Sequence, residues 1–280
     1  MKPAAFEFHR PRDVDEALAL LVRHGEAARL IAGGQSLVPM MNFRLATPNI
    51  LIDLNGIDGL AFIRRDGDLV RIGAATRQQD VLESALVRTH APLVAASIRH
   101  VGHYVTRCRG TIGGSLANAD PASELVLAAI TLGASLTLRG AAGTRSVAAQ
   151  DFFLDTMTTA LAPTEIVTDV AFPAAPEGTR VAFREHVRRH GDFAIASAAV
   201  QISPGDGRLR AGLGAVTPVP VACRRIEDAF DGDGLRADLD ALVAAEIAAV
   251  EILADIRAGA GHRRRLAAVC LADCIGELLA

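Results

Sequence analysis

The chain is poor in several residue types on which whole classes of protein depend. Its 280 residues include no tryptophan, one tyrosine and four cysteines, and Lys2 is its single lysine, so arginine carries nearly all of the positive charge. The cysteines are too few and too scattered for a disulfide framework, and their spacing matches no iron–sulfur motif; they are Cys108, Cys223, Cys270 and Cys274. Cys270 and Cys274 are better explained as small buried side chains on a predicted helix than as half of a metal site.

Long apolar runs and an excess of one charge are also absent. The longest apolar candidate, residues 241–254, is interrupted by Glu246 and Glu251, so the sequence predicts no membrane span. The net charge of −3 and the isoelectric point near 6.2 argue against general binding to nucleic acid or to a membrane surface. The N-terminal residues contain no apolar segment of the kind that a signal peptide needs. Together these features predict a cytoplasmic protein.

Half of the residues are hydrophobic, which is enough for a large core in one large domain or in two to three small ones. Short predicted strands and helices are mixed without a regular βαβ alternation, a pattern that favours the α+β class. The Pro-Ala-Ala-Pro-Glu-Gly segment at 173–178 is the expected boundary between domains. We therefore expect a domain at 1–176, built from units of about 1–55 and 56–176, and a second domain at 177–280.

Several local elements follow from capping residues and periodicity. Asp13 is a predicted N-cap for a helix that Gly25 ends, because apolar residues between them recur at helical spacing. Thr76 is expected to cap a helix over 78–88. Residues 193–202 are predicted to form a strand in the third unit, and the chain after residue 226 is predicted to be mostly helical.

Two glycine pairs, each followed closely by a hydroxyl residue, are the strongest functional signal. Glycine permits positive φ and close approach to the main chain, and successive N–H groups in such a turn form a concave anion site. The two pairs lie about eighty residues apart, which suggests a ligand with two phosphates held from both sides. The motifs are Ala32-Gly33-Gly34-Gln35-Ser36-Leu37 and Thr111-Ile112-Gly113-Gly114-Ser115.

Residues around these motifs carry a specific resemblance. The markers are Val38-Pro39-Met40-Met41, Leu116-Ala117-Asn118-Ala119-Asp120-Pro121 and Asp151-Phe152-Phe153. With them, essentially the whole chain resembles the FAD-binding medium subunit of the molybdenum hydroxylases, the family of carbon monoxide dehydrogenase and xanthine dehydrogenase. The resemblance implies an α+β fold in which two α/β subdomains clasp an extended FAD, as in the PCMH or vanillyl-alcohol-oxidase type, followed by a C-terminal α/β domain.

The same resemblance implies which residues bind FAD. Residues 32–37 and 111–115 would bind the pyrophosphate and neighbouring groups, and Asp120 or Glu124 would accept hydrogen bonds from ribose or ribityl hydroxyls. Val167 and Arg184 fall where the family contributes contacts near the flavin, and Arg184 would stabilise a reduced, anionic ring. Since few basic residues flank the motifs, we expect backbone N–H groups and helix N-termini to carry most of the pyrophosphate recognition.

The function implied by the resemblance is electron transfer rather than substrate oxidation. Electrons would leave a molybdopterin-type molybdenum cofactor on a large subunit and pass through two [2Fe–2S] clusters on a small subunit to FAD on this chain. The expected assembly is a dimer of heterotrimers, and no catalytic proton-transferring residue is expected here. Because the substrate is oxidised on another chain, aldehydes, N-heterocycles, purines and carbon monoxide stay open, as do quinone, oxygen and nicotinamide acceptors.

Departures from the family pattern leave other interpretations open. Cys108 stands where relatives often have asparagine, and the cysteine-rich insertion that holds an extra iron–sulfur cluster in some relatives is missing. A self-contained FAD oxidoreductase would use His186, His190 or Tyr104 as its acid or base, and Phe193 either stacks on the flavin or packs in the core. A third alternative is an assembly subunit that keeps the fold but binds no flavin.

Overall fold

A computed structural model describes residues 2–280, and its first unit is a small three-stranded sheet. The strands are parallel, in the order β1-β3-β2, and α1 packs its apolar face (Val14, Ala17, Leu18, Leu21) against them. The Asp13 carboxylate caps α1 by accepting a hydrogen bond from the Glu16 N–H at 2.8 Å, as predicted. The elements are β1 (Glu7–His9), α1 (Val14–His24), β2 (Ala28–Ile31), α2 (Leu37–Asn42) and β3 (Ile50–Asp53), with a 3-10 turn at Gly25–Ala27.

The second unit is an antiparallel sheet of five strands covered by short helices. The strand order is β4-β5-β10-β6-β7, and the buried side chains of α5, α7 and α8 form one core with the inner face of the sheet. The elements are β4 (Ile63–Asp66), β5 (Leu69–Gly73), α3 (Gln78–Glu83), α4 (Ala85–His90), α5 (Pro92–Ile98), α6 (Tyr104–Arg109), α7 (Ile112–Asn118), α8 (Glu124–Leu132), β6 (Ser135–Gly140), β7 (Gly143–Ala148), α9 (Ala149–Phe152), β8 (Phe153–Asp155), β9 (Thr158–Thr159) and β10 (Glu165–Pro173).

The third unit is a four-stranded antiparallel sheet between helices. One face packs against the long C-terminal helix, and the other packs against α5 and α8 of the second unit. Phe183 and Ala199 from this sheet belong to the same core cluster as the second unit, so the two units share buried contacts. The elements are β11 (Arg180–His186), β12 (Ala196–Ser203), β13 (Arg208–Gly214), β14 (Val221–Ala222), α10 (Arg224–Ala229), α11 (Leu239–Ala248) and α12 (Ala260–Leu279). Among helices within residues 2–280, none combines the length and apolarity that a bilayer crossing requires.

Two local predictions differ from the structure. Thr76 is not a helix cap, because its hydroxyl bonds the backbone N–H and C=O of Phe62, both at 3.1 Å. The predicted helix over 78–88 is instead two helices, and Ser84 caps the second one by accepting from the Val87 N–H. The strand predicted to begin at Phe193 begins at Ala196, and the residues before Ala196 form a loop.

Candidate cofactor site

The first glycine motif forms the turn between β2 and α2. Gly34 has φ of +72°, a conformation that favours glycine, and it redirects the chain into the helix. Within the described part of the chain, the N–H groups of residues 33–37 donate no hydrogen bond to a protein acceptor. This run of N–H groups is the kind of backbone arrangement that binds a phosphate oxygen.

The first glycine motif packs, through Gly33, against the backbone that leads into the second motif. A Cβ atom at this position would lie 2.4 Å from the Arg109 carbonyl oxygen and 2.8 Å from the Gly110 Cα atom, which is too close for any side chain. Gly33 therefore lets the first unit touch the backbone that immediately precedes the second motif. The physical reason for glycine here is close approach between two units of the chain.

The second motif is the start of α7, not the turn that its glycine pair predicts. The Thr111 hydroxyl caps α7 by accepting a hydrogen bond from the Gly114 N–H at 3.1 Å, and the Gly113 N–H donates to the Ala74 carbonyl at 2.9 Å. A Cβ atom on Gly113 would lie 2.4 Å from the Ala74 Cβ atom. The Gly113 N–H therefore holds α7 against the end of β5, and the Ser115 hydroxyl lies 3.0 Å from the Ser123 hydroxyl.

A cleft of about 390 Å³ opens beside the first motif. Gly33, Gly34 and Gln35 form part of its wall, and Arg109 reaches it from the second unit. The remaining lining is an apolar group and a polar pair, namely Phe8, Ile31, Ala32, Val38 and Pro39 with Asp53 and Asn55. The cleft therefore combines backbone N–H groups, an arginine and apolar surface, which suit a phosphate-bearing aromatic ligand.

A hydrogen-bond network fixes the base of this cleft. The Asn55 amide donates to the Ala32 carbonyl at 2.8 Å, and its oxygen accepts from the Arg77 guanidinium at 2.7 Å. Arg77 also donates to the Arg109 carbonyl at 2.6 Å, so its side chain links Asn55, which bonds the first motif, to the backbone just before the second motif. Burial, followed by the positive charge of Arg109, lowers the pKa of Arg77. Buried Asp53 forms an ion pair with Arg10 at 3.2 Å.

Sequence reasoning missed the linking roles of Asn55 and Arg77. An Asn-Gly pair such as Asn55-Gly56 is typical of a turn, and nothing local to Arg77 distinguishes it from other arginines. The turn is present, yet the Asn55 amide reaches a carbonyl 23 residues earlier in the chain. Such partners are set by the tertiary fold, so no sequence signal near either residue reveals them.

Asp120 lies in the turn between α7 and α8, and Glu124 begins α8. The Asp120 carboxylate accepts a hydrogen bond from the Ala122 N–H at 2.9 Å, which stabilises the turn before α8. Glu124 is the first residue of α8 and is 7% exposed. Burial, with additional repulsion from Glu185 and Asp120, raises the pKa of Glu124 to about 8. The structure thus places a neutral carboxyl group a short distance along the chain from the second motif.

The structure does not bring the side chain of Arg184 to the glycine motifs. Arg184 lies on β11 and forms an ion pair with Glu277 on α12. Side chains alternate along a strand, so Phe183 and Glu185 face the opposite side, where Glu185 lies 3.3 Å from His100. Val167 is 5% exposed on β10, within the core of the second unit.

Of the alternative acid–base candidates, His190 lies in the loop between β11 and β12, His186 is the last residue of β11, and Tyr104 is the first residue of α6. The rings of His103 and His190 stack with their centroids 5.5 Å apart, and Tyr104 is exposed. Phe193 is 48% exposed, and the Arg257 guanidinium lies 5.3 Å from the centre of its ring. Phe193 is therefore not a core residue, which removes one of the two roles considered for it.

The remaining cysteines and histidines form no metal centre in the part of the chain that the structure describes. The thiols of Cys270 and Cys274 face the Ala196 and Ala198 carbonyl oxygens at 3.8 and 3.7 Å, and burial raises the pKa of each to about 12. Both are therefore neutral, buried side chains in the core of the third unit.

Two sequence families match nearly the whole chain. Residues 4–175 match the FAD binding domain in molybdopterin dehydrogenase, and residues 181–278 match the CO dehydrogenase flavoprotein C-terminal domain. The first match contains both glycine motifs and the cleft, and the second contains the sheet and helix on which Arg184 and Glu277 lie. The family resemblance and the α+β class predicted from the sequence are confirmed by these matches and by the folds described next.

Curated relatives and solved structures extend over nearly the full length. The carbon monoxide dehydrogenase medium chain of Afipia carboxidovorans is 36% identical over 97% of this chain and 96% of its own. The nicotine 6-hydroxylase medium subunit of Paenarthrobacter nicotinovorans is 35% identical over 95% of this chain and 94% of its own. A carbon monoxide dehydrogenase structure from Hydrogenophaga pseudoflava superposes with a TM-score of 0.93 at 36% identity, covering 99% of this chain and 98% of that one.

Proposed function

This chain belongs to the FAD-binding medium subunits of the molybdenum hydroxylases, and we propose that it binds FAD and passes electrons from a partner's iron–sulfur clusters to an external acceptor. The observation that carries the proposal is the run of N–H groups at residues 33–37, packed through Gly33 onto the backbone that immediately precedes the second glycine motif. Both family matches, which together span residues 4–278 apart from a short gap, support the same assignment. We divide the chain accordingly into an FAD-binding domain, 1–176, with units 1–55 and 56–176, and a C-terminal domain, 177–280.

The residues present are suited to FAD. The N–H groups of 33–37 would hold phosphate oxygens, and the hydroxyls of Thr111 and Ser115 would add donors beside them. The carboxyl group of Asp120 or of Glu124 would accept hydrogen bonds from ribose or ribityl hydroxyls. Val167 would contact the cofactor mainly through its backbone, since its side chain is buried in the core. When bound, FAD supplies the ability to accept electrons singly and to deliver them in pairs.

Arg184 needs a change of partner to act on the flavin as the family pattern implies. Its guanidinium is held by Glu277, and the strand turns it toward α12. We propose that it contributes to the flavin environment only if that ion pair opens. The prediction for Arg184 thus depends on a side-chain movement, whereas the predictions for residues 33–37 do not.

We propose that the working assembly contains a large molybdenum subunit and a small subunit with two [2Fe–2S] clusters, as a cytoplasmic dimer of heterotrimers. The names of the relatives support a complex with subunits of three sizes, because several relatives are called medium chains or medium subunits. One matching solved structure is described as a Cu,Mo-CO dehydrogenase. The relatives' names mention carbon monoxide, nicotine, caffeine and glyceraldehyde, a spread that is expected when another subunit oxidises the substrate.

Purification of the tagged chain from its own host tests this function. We expect a larger and a smaller polypeptide to copurify, with molybdenum and about four iron atoms for each FAD, as two [2Fe–2S] clusters require. A flavin-bearing chain that purifies alone and oxidises a substrate would support the self-contained oxidoreductase instead. A colourless chain in a molybdenum complex would support the assembly subunit.

A further inference from the structure

An exposed arginine without a carboxylate partner lines the cleft beside the first motif. Arg109 lines the cleft together with Gly33, Gly34 and Gln35. Among residues 2–280, no acceptor receives a hydrogen bond from its guanidinium and no carboxylate pairs with it. The neighbouring arginines differ in this respect, since Arg77 and Arg107 are both committed to protein acceptors.

The backbone of Arg109 is held in place from two sides. Its carbonyl oxygen accepts from the Arg77 guanidinium at 2.6 Å, and it lies only 2.4 Å from where a Cβ on Gly33 would be. The next residue is fixed as well, because the Gly110 N–H donates to the Thr106 carbonyl at 2.7 Å. The side chain of Arg109 therefore starts from a fixed point next to the first motif.

The charges of the cleft favour an anion near Arg109. The carboxylate of Asp53, which also lines the cleft, is offset by its ion pair with Arg10 at 3.2 Å. Arg77 adds a second positive charge close to Arg109, and the repulsion between the two helps to lower the pKa of Arg77. A pyrophosphate bound at the N–H groups of 33–37 would receive favourable charge from both arginines and a direct donor from Arg109.

We infer that the guanidinium of Arg109 binds the FAD pyrophosphate and holds it against the first glycine motif. The planar group offers paired donors to phosphate oxygens, a geometry that a lysine ammonium does not reproduce. This role rests on the proposed FAD function. It also adds a side chain to the expectation that backbone groups carry most of the phosphate recognition, since Arg109, which lies just before the second motif, joins the N–H groups of the first.

The test compares Arg109→Gln with Arg208→Gln, which removes the same charge from an exposed position at the start of β13. The FAD dissociation constant is measured by flavin fluorescence at low and moderate salt, and ADP, which carries the pyrophosphate without the flavin, is used as a competitor. Arg109→Gln should weaken FAD and ADP by the same factor, roughly ten- to a hundredfold, as expected for a charged hydrogen-bond partner. Arg109→Gln should also make the FAD dissociation constant less dependent on salt. Arg109→Lys should restore part of the affinity for FAD and ADP.

The outcomes separate this inference from the function on which it rests. A wild-type protein that binds neither FAD nor ADP overturns the proposed function. Tight binding by wild type, with Arg109→Gln unchanged from Arg208→Gln, overturns only the role of Arg109. The thermal unfolding of Arg109→Gln without FAD should match that of wild type, since the side chain makes no bond to the rest of the described chain. The inference would be contradicted if Arg109→Gln lost much of its stability along with its affinity for FAD and ADP, and if Arg109→Lys did not restore that affinity.

Discussion

Binding of FAD should be linked to the release of a proton from Glu124. Glu124 is buried at the start of α8, and burial with repulsion from Glu185 and Asp120 raises its pKa to about 8. Without FAD, its carboxyl group is therefore mostly protonated at pH 7. If ribose or ribityl hydroxyls donate hydrogen bonds to it, they favour the ionised form, so binding must release the proton.

The sign and size of the effect follow from linkage. Below pH 8 the free protein holds a proton that the complex does not, and FAD affinity should rise with pH until about pH 8 and then level off. The limiting slope for one proton is tenfold per pH unit. Between pH 6 and pH 8 the affinity should therefore rise by up to about a hundredfold, with less if the bound carboxyl group titrates within that range.

The assay is the FAD dissociation constant at pH 6, 7, 8 and 9 for wild type, Glu124→Gln and Glu251→Gln. A glutamine side chain has no proton to release, so Glu124→Gln should lose the pH dependence, whereas Glu251→Gln changes an exposed carboxylate and should keep it. A wild-type affinity that is flat over this range would refute the reasoning. The same holds if the slope persists in Glu124→Gln.

Four further predictions test other parts of the account. Gly34→Val should abolish FAD retention because φ of +72° strains a β-branched residue, and Gly114→Val should do so because its Cβ would lie 2.8 Å from the capping Thr111 hydroxyl; bound flavin per chain measures both. Gly33→Ala should destabilise the fold by roughly 1–3 kcal/mol in urea unfolding, since the methyl group would overlap the Arg109 carbonyl; unchanged stability would contradict that packing. Asn55→Ala should cost about 1–3 kcal/mol because Arg77 loses a partly buried acceptor, and Asn55→Asp should restore part of it. Without FAD, the stability contributed by the raised pKa of Glu124 should be present near pH 4 and lost as pH rises through about 8, so Glu124→Gln should unfold at a higher temperature than wild type at pH 8.5.

Local chemistry made part of the fold predictable. The cap at Asp13 and the stop at Gly25 depend on neighbouring residues, so the first helix could be placed from sequence. The α+β class and the family also followed from the motifs and are confirmed by the comparisons. Thr76 shows the limit, because its hydroxyl finds a partner in Phe62, fourteen residues away, rather than in the next helical turn.

The site was predictable as a set of motifs but not as a geometry. Gly33 and Gly113 each stand between an apolar residue and a second glycine in the sequence. Gly33 nevertheless permits close contact with Arg109, whereas Gly113 permits close contact with Ala74. Those partners come from other parts of the chain, so composition and spacing do not reveal them. The orientation of Arg184 toward Glu277 has the same origin, because the packing of β11 on α12 decides which strand face it occupies.

Addition of FAD to the purified chain, followed by removal of excess cofactor and an absorption spectrum, tests the central claim most directly. The account predicts the absorption bands of a bound oxidised flavin at one equivalent per chain, with FAD rather than FMN released on denaturation. It also predicts that Gly34→Val, treated in the same way, stays colourless. A wild-type chain that takes up no flavin, alone or with its copurified partners, would contradict the account.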